Sequence, residues 1–288
     1  MIQFSRSVGV VFFVAFLILT TVTQASTLTV GKGQTLKITS DKILVERLVM
    51  EDDSILLVEC KTFELHALSA TFGERVQIQS IGKSGDDNQK NGANIAGQAG
   101  YGAKGENGES GGTGSNGEPG GNITISVGLE SLGSLRIIAT GGTGGKGSNG
   151  GNGQLGGAAK GDYSCVGGDG GSGGSGGNGG AGGNGGNVTF NYWNMLDPKA
   201  IKTLGSTVAG KSLLAKFTVG LEIVNDGGQP GSGGAFGAGG AGGGGRSKNV
   251  LGVKISKRGG NAGANGGTGG SGAVGQKGSK TIAPIPKP

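Results

Sequence analysis

The chain is poor in most residues that build enzymes. Among 288 residues it has two cysteines, one histidine, six prolines and 5% aromatics. A single histidine and scattered acids leave no cluster for acid-base or metal chemistry, so an enzyme is not expected. Sparse aromatics and a formal net charge of +6 spread over a long chain argue against a nucleic-acid partner. Few prolines argue against collagen. After the first residues there is no second long apolar run.

Glycine is abundant instead, with 71 residues, far above the share in ordinary globular chains. The first segment carries Arg6, an apolar run from Val8 to Leu19 and the small-residue end Thr23-Gln24-Ala25. That pattern is expected of a secretory signal peptide, with Ser26 as the mature start. Export of the mature protein to the cell exterior or surface follows.

From Ser26 to Ser80 the sequence alternates with period two, at Leu28/Val30, Leu36/Ile38, Ile55/Leu57, Phe63/Leu65 and Val76/Ile78. Beyond Ser80 a larger repeat begins. VQIQS at Val76, LRIIAT at Leu135 and LEIVND at Leu221 each leave for a glycine-rich excursion. These return as GGNITI at Gly120, GGNVTF at Gly185 and KGSKTI at Lys277. Within the excursions glycine keeps a period of three, from Gly102 to Gly120, Gly141 to Gly156, Gly167 to Gly185, Gly228 to Gly243 and Gly260 to Gly278. A weaker run holds Gly82, Gly85, Gly97 and Gly100.

A flexible linker needs no such period. Collagen needs three parallel chains and a constant frame. Helices of the polyproline II type, with three residues per turn, fit best, because glycine at every third position lets backbones touch. The G-G-x run Gly167 to Asn187 and the G-x-x run Gly102 to Gly120, with those starting at Gly141, Gly228 and Gly260, resemble the polyglycine II bundle proteins. That group includes the springtail antifreeze protein and tail-tip adhesins of certain bacteriophages.

The resemblance implies six antiparallel helices in two layers. At ~3.1 Å per residue the runs would be rods of roughly 50 to 60 Å. The run after Gly167 is expected inside its layer, with Asp169, Ser172, Ser175, Asn178, Ala181, Asn184 and Asn187 as an outward ridge. The run after Gly102 is expected at an edge.

The expected fold is thus an all-β base, β-helix-like or sandwich, carrying three polyglycine II hairpins. Residues 1–25 are the leader and 26–80 the base. Hairpins occupy 81–122, 141–187 and 227–280. Base strands fill 123–140 and, with a short helix or loop from Asp197-Pro198, 188–226; 281–288 form a Pro-rich tail. Ordering each residue costs roughly 1 to 2 kcal/mol and a net backbone hydrogen bond returns about 0.5 to 1.5 kcal/mol. Rods without an apolar core therefore need the base as a clamp.

Several features carry candidate chemistry. GSTVAGKS, Gly205 to Ser212, matches a phosphate loop, but it lacks a strand-plus-acid partner and is read as a chance match, with no nucleotide. Cys60 falls in the base and Cys165 in a distal turn, so they are expected not to pair with each other, since a bridge needs Cα atoms within about 7 Å. His66 is read as solvent-facing or satisfied. Glu106, Glu109 and Glu118 lie about 9 Å apart per turn, too far for paired-carboxylate catalysis. Asn122 and Asn187 head glycosylation sequons that matter only in a eukaryotic source.

The hairpin turns are the most suggestive feature. Apolar Leu155, Val166, Val250, Leu251, Val253 and Ile255 gather there. With them stand Tyr101, Lys104, Lys160, Tyr163, Arg246, Lys248, Lys254, Lys257 and Arg258. Two readings stand: a mini-core that caps the rods, or a basic recognition tip. The expected partner of a tip is a cell-surface or matrix component such as an anionic glycan, with self-association as a further option. No cofactor and no metal are expected. The expected function is a secreted, non-enzymatic structural or adhesive surface protein; ice binding is the alternative.

Overall fold

The computed structural model describes residues 18–19, 24–162, 164–195 and 220–288. The elements formed by these residues are β-strands. Most of the expected leader, the Asp197-Pro198 helix and the Gly205 to Ser212 match lie outside the described residues.

The base is a β-helix-like stack of coils, each placing one strand in each of two parallel sheets. The first sheet runs in the order β1 (Ile18–Leu19), β3 (Thr35–Ile38), β5 (Ile55–Val58), β7 (Val76–Gln79), β9 (Leu135–Ile138) and β11 (Leu221–Val224). The second runs β14 (Lys280–Pro284), β10 (Val188–Asn194), β8 (Asn122–Leu132), β6 (Thr62–Phe72), β4 (Lys42–Met50) and β2 (Gln24–Val30). The strand β2 begins ahead of the expected mature start at Ser26. Parallel pairing throughout both sheets resolves the base in favour of stacked coils over an antiparallel sandwich.

The core lies between the sheets. Leu36, Ile38, Phe63, Leu65, Val76 and Ile78 point into it, on the face the alternation predicts. One pair is reversed: β5 buries Leu56 and Val58, and leaves Ile55 and Leu57 half-buried. Four consecutive apolar residues carry no period, so the face is set by register with β3, where Leu36 pairs Leu56 and Ile38 pairs Val58. The strand β4 has no counterpart among the expected pairs. Its alternation breaks at exposed Glu46 and Arg47, although Ile43, Val45, Leu48 and Met50 are all buried.

On one side of the stack the coils turn tightly. Gly33, Asp53 and Arg75 occupy equivalent left-handed positions there, at φ 66, 58 and 56°. Arg75 Nε donates to Asp53 Oδ1 at 2.6 Å, linking two successive corners. On the other side the glycine excursions emerge. Each leaves from the first sheet, at β7, β9 or β11, and comes back to the second, at β8, β10 or β14.

The sheet ladders continue into the excursions without a break. Gly82, Gly85 and Asn88 donate backbone N–H groups to Thr140, Thr143 and Lys146, prolonging the β7–β9 pairing. Gly144, Gly147 and Gly150 donate to Gln229, Ser232 and Ala235. On the other layer Gly105, Gly108 and Gly111 donate to Asp169, Ser172 and Ser175, and Gly170, Gly173 and Gly176 to Asn261, Ala264 and Gly267. Neighbours within a layer therefore run parallel.

Across the layers the direction reverses. Gly171, Gly174 and Gly177 donate to Gln154, Gly151 and Ser148, and Gly228, Gly231 and Gly234 to Gly183, Gly180 and Gly177. The run 167–185 thus has neighbours on both sides in its own layer and two more in the facing one. The run 102–120 ends its layer, and its open flank is touched by 82–100, where Ser115 and Glu118 donate to Asp86 and Lys83.

Candidate functional site

The far ends of the excursions converge. Gly100 accepts from Ala103 in the first turn, leaving Tyr101 at the apex, 65% exposed. In the second turn Asp162 Oδ1 accepts from Ser164 N at 2.9 Å and Ser164 Oγ at 2.6 Å, while Lys160 Nζ lies 3.2 Å from Oδ2. Those bonds, the Ser164 hydroxyl first, hold the Asp162 carboxyl down to about 2. The third turn is a two-stranded antiparallel ribbon, β12 (Arg246–Val250) paired with β13 (Val253–Lys257).

Backbone contacts tie the three together. Gly102 donates to Ala158 and Ala159 donates to Gly244; Arg246 Nε reaches the Ala159 carbonyl at 3.0 Å. Gly167 donates to Arg258. Of the expected tip residues, Tyr101, Lys160, Arg246 and Arg258 are thereby brought to one end of the array. Lys104 is exposed at the start of its run. Lys248, Lys254 and Lys257 lie along the ribbon, and Tyr163 falls outside the described residues.

The mini-core reading fails. Leu155, Val166, Val250, Leu251, Val253 and Ile255 are 40 to 100% exposed. The ribbon strands satisfy each other's backbone and stand exposed, so their side chains meet water instead of folding over the ends of the runs. Opposite residues share a face, which puts Arg246, Lys257, Lys248, Ile255, Val250 and Val253 on one side and Lys254 on the other.

Cys60 and Cys165 are both free thiols. Cys60 Sγ donates to the Thr39 carbonyl at 3.0 Å, and burial raises its pKa; Cys165 sits against Gly102 in the distal turns. His66 is half-exposed in a groove of about 600 Å³ on the second sheet, with Nε2 3.8 Å from Glu64 Oε2. Among the described residues no group of three His, Cys, Asp or Glu side chains could hold a metal. Glu109 Oε2 accepts from Ala93 N at 3.4 Å.

One device escapes sequence reading. The outward asparagines are acceptors for the next run's backbone: Asn107 Oδ1 takes the Ser172 N–H, Asn178 that of Gly270 and Asn184 that of Gln276, each at 2.8 Å. Asn149 and Asn152 do the same for Ala235 and Ala238 on the other layer. The sequon residues belong to this series, Asn122 accepting from Asn187 N and Asn187 from Ser279 N. Asparagine at the third position of a glycine triplet marks these sites, but a solvated polar residue looks the same in sequence.

No protein-family model matches the chain, and no curated protein matches it. Among solved structures it is similar to the nine polyproline type II helical bundle springtail antifreeze protein from Granisotoma rainieri, at 24% identity over 66% of this chain and 93% of that one. The TM-score is 0.12, and at that value the likeness carries no argument.

Proposed function

We propose that this is an exported, non-enzymatic structural or adhesive surface protein. In this reading the three excursions form a six-rod polyglycine II bundle that holds the distal turns away from the β base. The observation that carries it is the recurrence of backbone hydrogen bonds at every third residue along the paired runs, at about 2.8 to 3.0 Å through most of their length. Three residues per turn is the repeat of the polyproline II conformation, and a hydrogen-bonded rod resists bending where a glycine linker would coil. The partner class is a cell-surface or matrix component that meets the basic turns.

Two measurements on one purified sample test the proposal. Binding to cells or to anionic glycans is expected, and is expected to fall when Lys254, Lys257 and Arg258 are replaced by alanine. Thermal hysteresis of the same solution is expected to be absent. Hysteresis with no surface binding would overturn the adhesive reading in favour of ice binding.

A further inference from the structure

The distal ribbon combines three observations that the display of turns does not require. First, its strands are almost wholly exposed, and its apolar residues cluster at the bend: Val250 is 40%, Leu251 100% and Val253 64% exposed. Residues left this exposed bury little apolar surface, so a two-stranded ribbon gains little stability in water from them.

Second, the bend is a tight turn with both central residues at positive φ, Leu251 at 50° and Gly252 at 81°. Asparagine or glycine adopts that conformation readily, whereas a bulky leucine is strained. Folding alone gives no reason for a strained, fully exposed leucine at this position.

Third, the cations sit behind the apolar bend. Lys248 and Lys254 flank it, and Arg246, Lys257 and Arg258 stand at the root. Among the described ion pairs none involves these five residues, and the acid of the adjoining turn, Asp162, is engaged by Lys160 and Ser164. An apolar end backed by unpaired cations matches the depth profile of an anionic bilayer, with acyl chains inside and phosphates outside. A polyanionic glycan would meet the cations but offers nothing to Leu251.

We propose that the β12–β13 ribbon is a membrane-contacting finger. Leu251, Val250 and Val253 enter the headgroup–acyl boundary of an anionic bilayer, while Lys248, Lys254 and Lys257 meet lipid phosphates. The proposal rests on the reading of the excursions as rods that present these turns.

Sedimentation of the purified protein with vesicles tests it, comparing pure phosphatidylcholine with a mixture containing about one-third phosphatidylglycerol. Binding is expected on the anionic vesicles alone and is expected to weaken with salt. L251N suits the turn better than leucine, so it keeps the fold, and a drop in binding of about tenfold is expected. K254E is expected to weaken binding about fivefold or more at low salt. Unchanged binding by L251N overturns the finger, as does retention on heparin without vesicle binding.

Scattering measurements separate this failure from that of the rods. A compact particle that still binds vesicles refutes the rods alone. An elongated particle that ignores vesicles refutes the finger alone.

Discussion

A side chain at Gly171 would overlap the Glu106 carbonyl, whereas one at Gly267 would lie 3.8 Å from Ser175 Oγ. Gly171→Ala is therefore expected to destabilise the molecule by about 1 to 3 kcal/mol or more, as overpacking does. Gly267→Ala is expected to be neutral in the same thermal melt. The G-G-x beat was legible because it reflects this contact: Gly170 approaches the Gly240 carbonyl and Gly171 that of Glu106, so two positions in three exclude a Cβ. The role of the third position was not legible. Asn178→Ala should cost about 0.5 to 1.5 kcal/mol by freeing the Gly270 N–H, measurable as a lower melting temperature and faster amide exchange at Gly270.

At the scale of elements, the second turn depends on one carboxylate. Its folded pKa of about 2 lies below the ordinary aspartate value near 3.9, so the ordering it supports is complete above that ordinary value. The ordering is lost as pH falls through about 2. The Ser164 amide is expected to keep its native chemical shift to roughly pH 3 and to move below it, whereas Asp162→Asn should remove the acid transition.

Strands were legible where period two was clean, as at Phe63 and Leu65. They were obscured in two ways. Leu56 and Leu57 are chemically alike, so only the neighbouring strand selects the face. In β4, Glu46-Arg47 interrupts the pattern, and Arg47 pairs with Glu130 at 3.3 Å on the outside of the sheet. The third turn read as a site of apolar and basic residues; that it is a ribbon with its leucine at the bend emerged only from backbone geometry.

At the scale of the whole molecule, the apolar core cluster among the described residues lies in the base, with Ala139 its member nearest the excursions. The excursions therefore have hydrogen bonds but almost no hydrophobic term of their own. A peptide covering 81–121 is expected to be disordered by circular dichroism, and a folded spectrum would show that the base is not needed as a clamp. Insertion of three excursions was legible from the departing and returning strands. Their common corner was not, because that depends on which of two sheets each strand joins.

That common corner has a consequence for how such a molecule can change. The prolonged ladders make each excursion a continuation of its own coil, so duplicating one coil with its excursion would add a new pair of runs already in register. Lengthening depends on something else, the number of glycine triplets between departure and return. Width and reach can thus be altered independently by gene duplication and by slippage within a short repeat, each leaving the existing contacts intact.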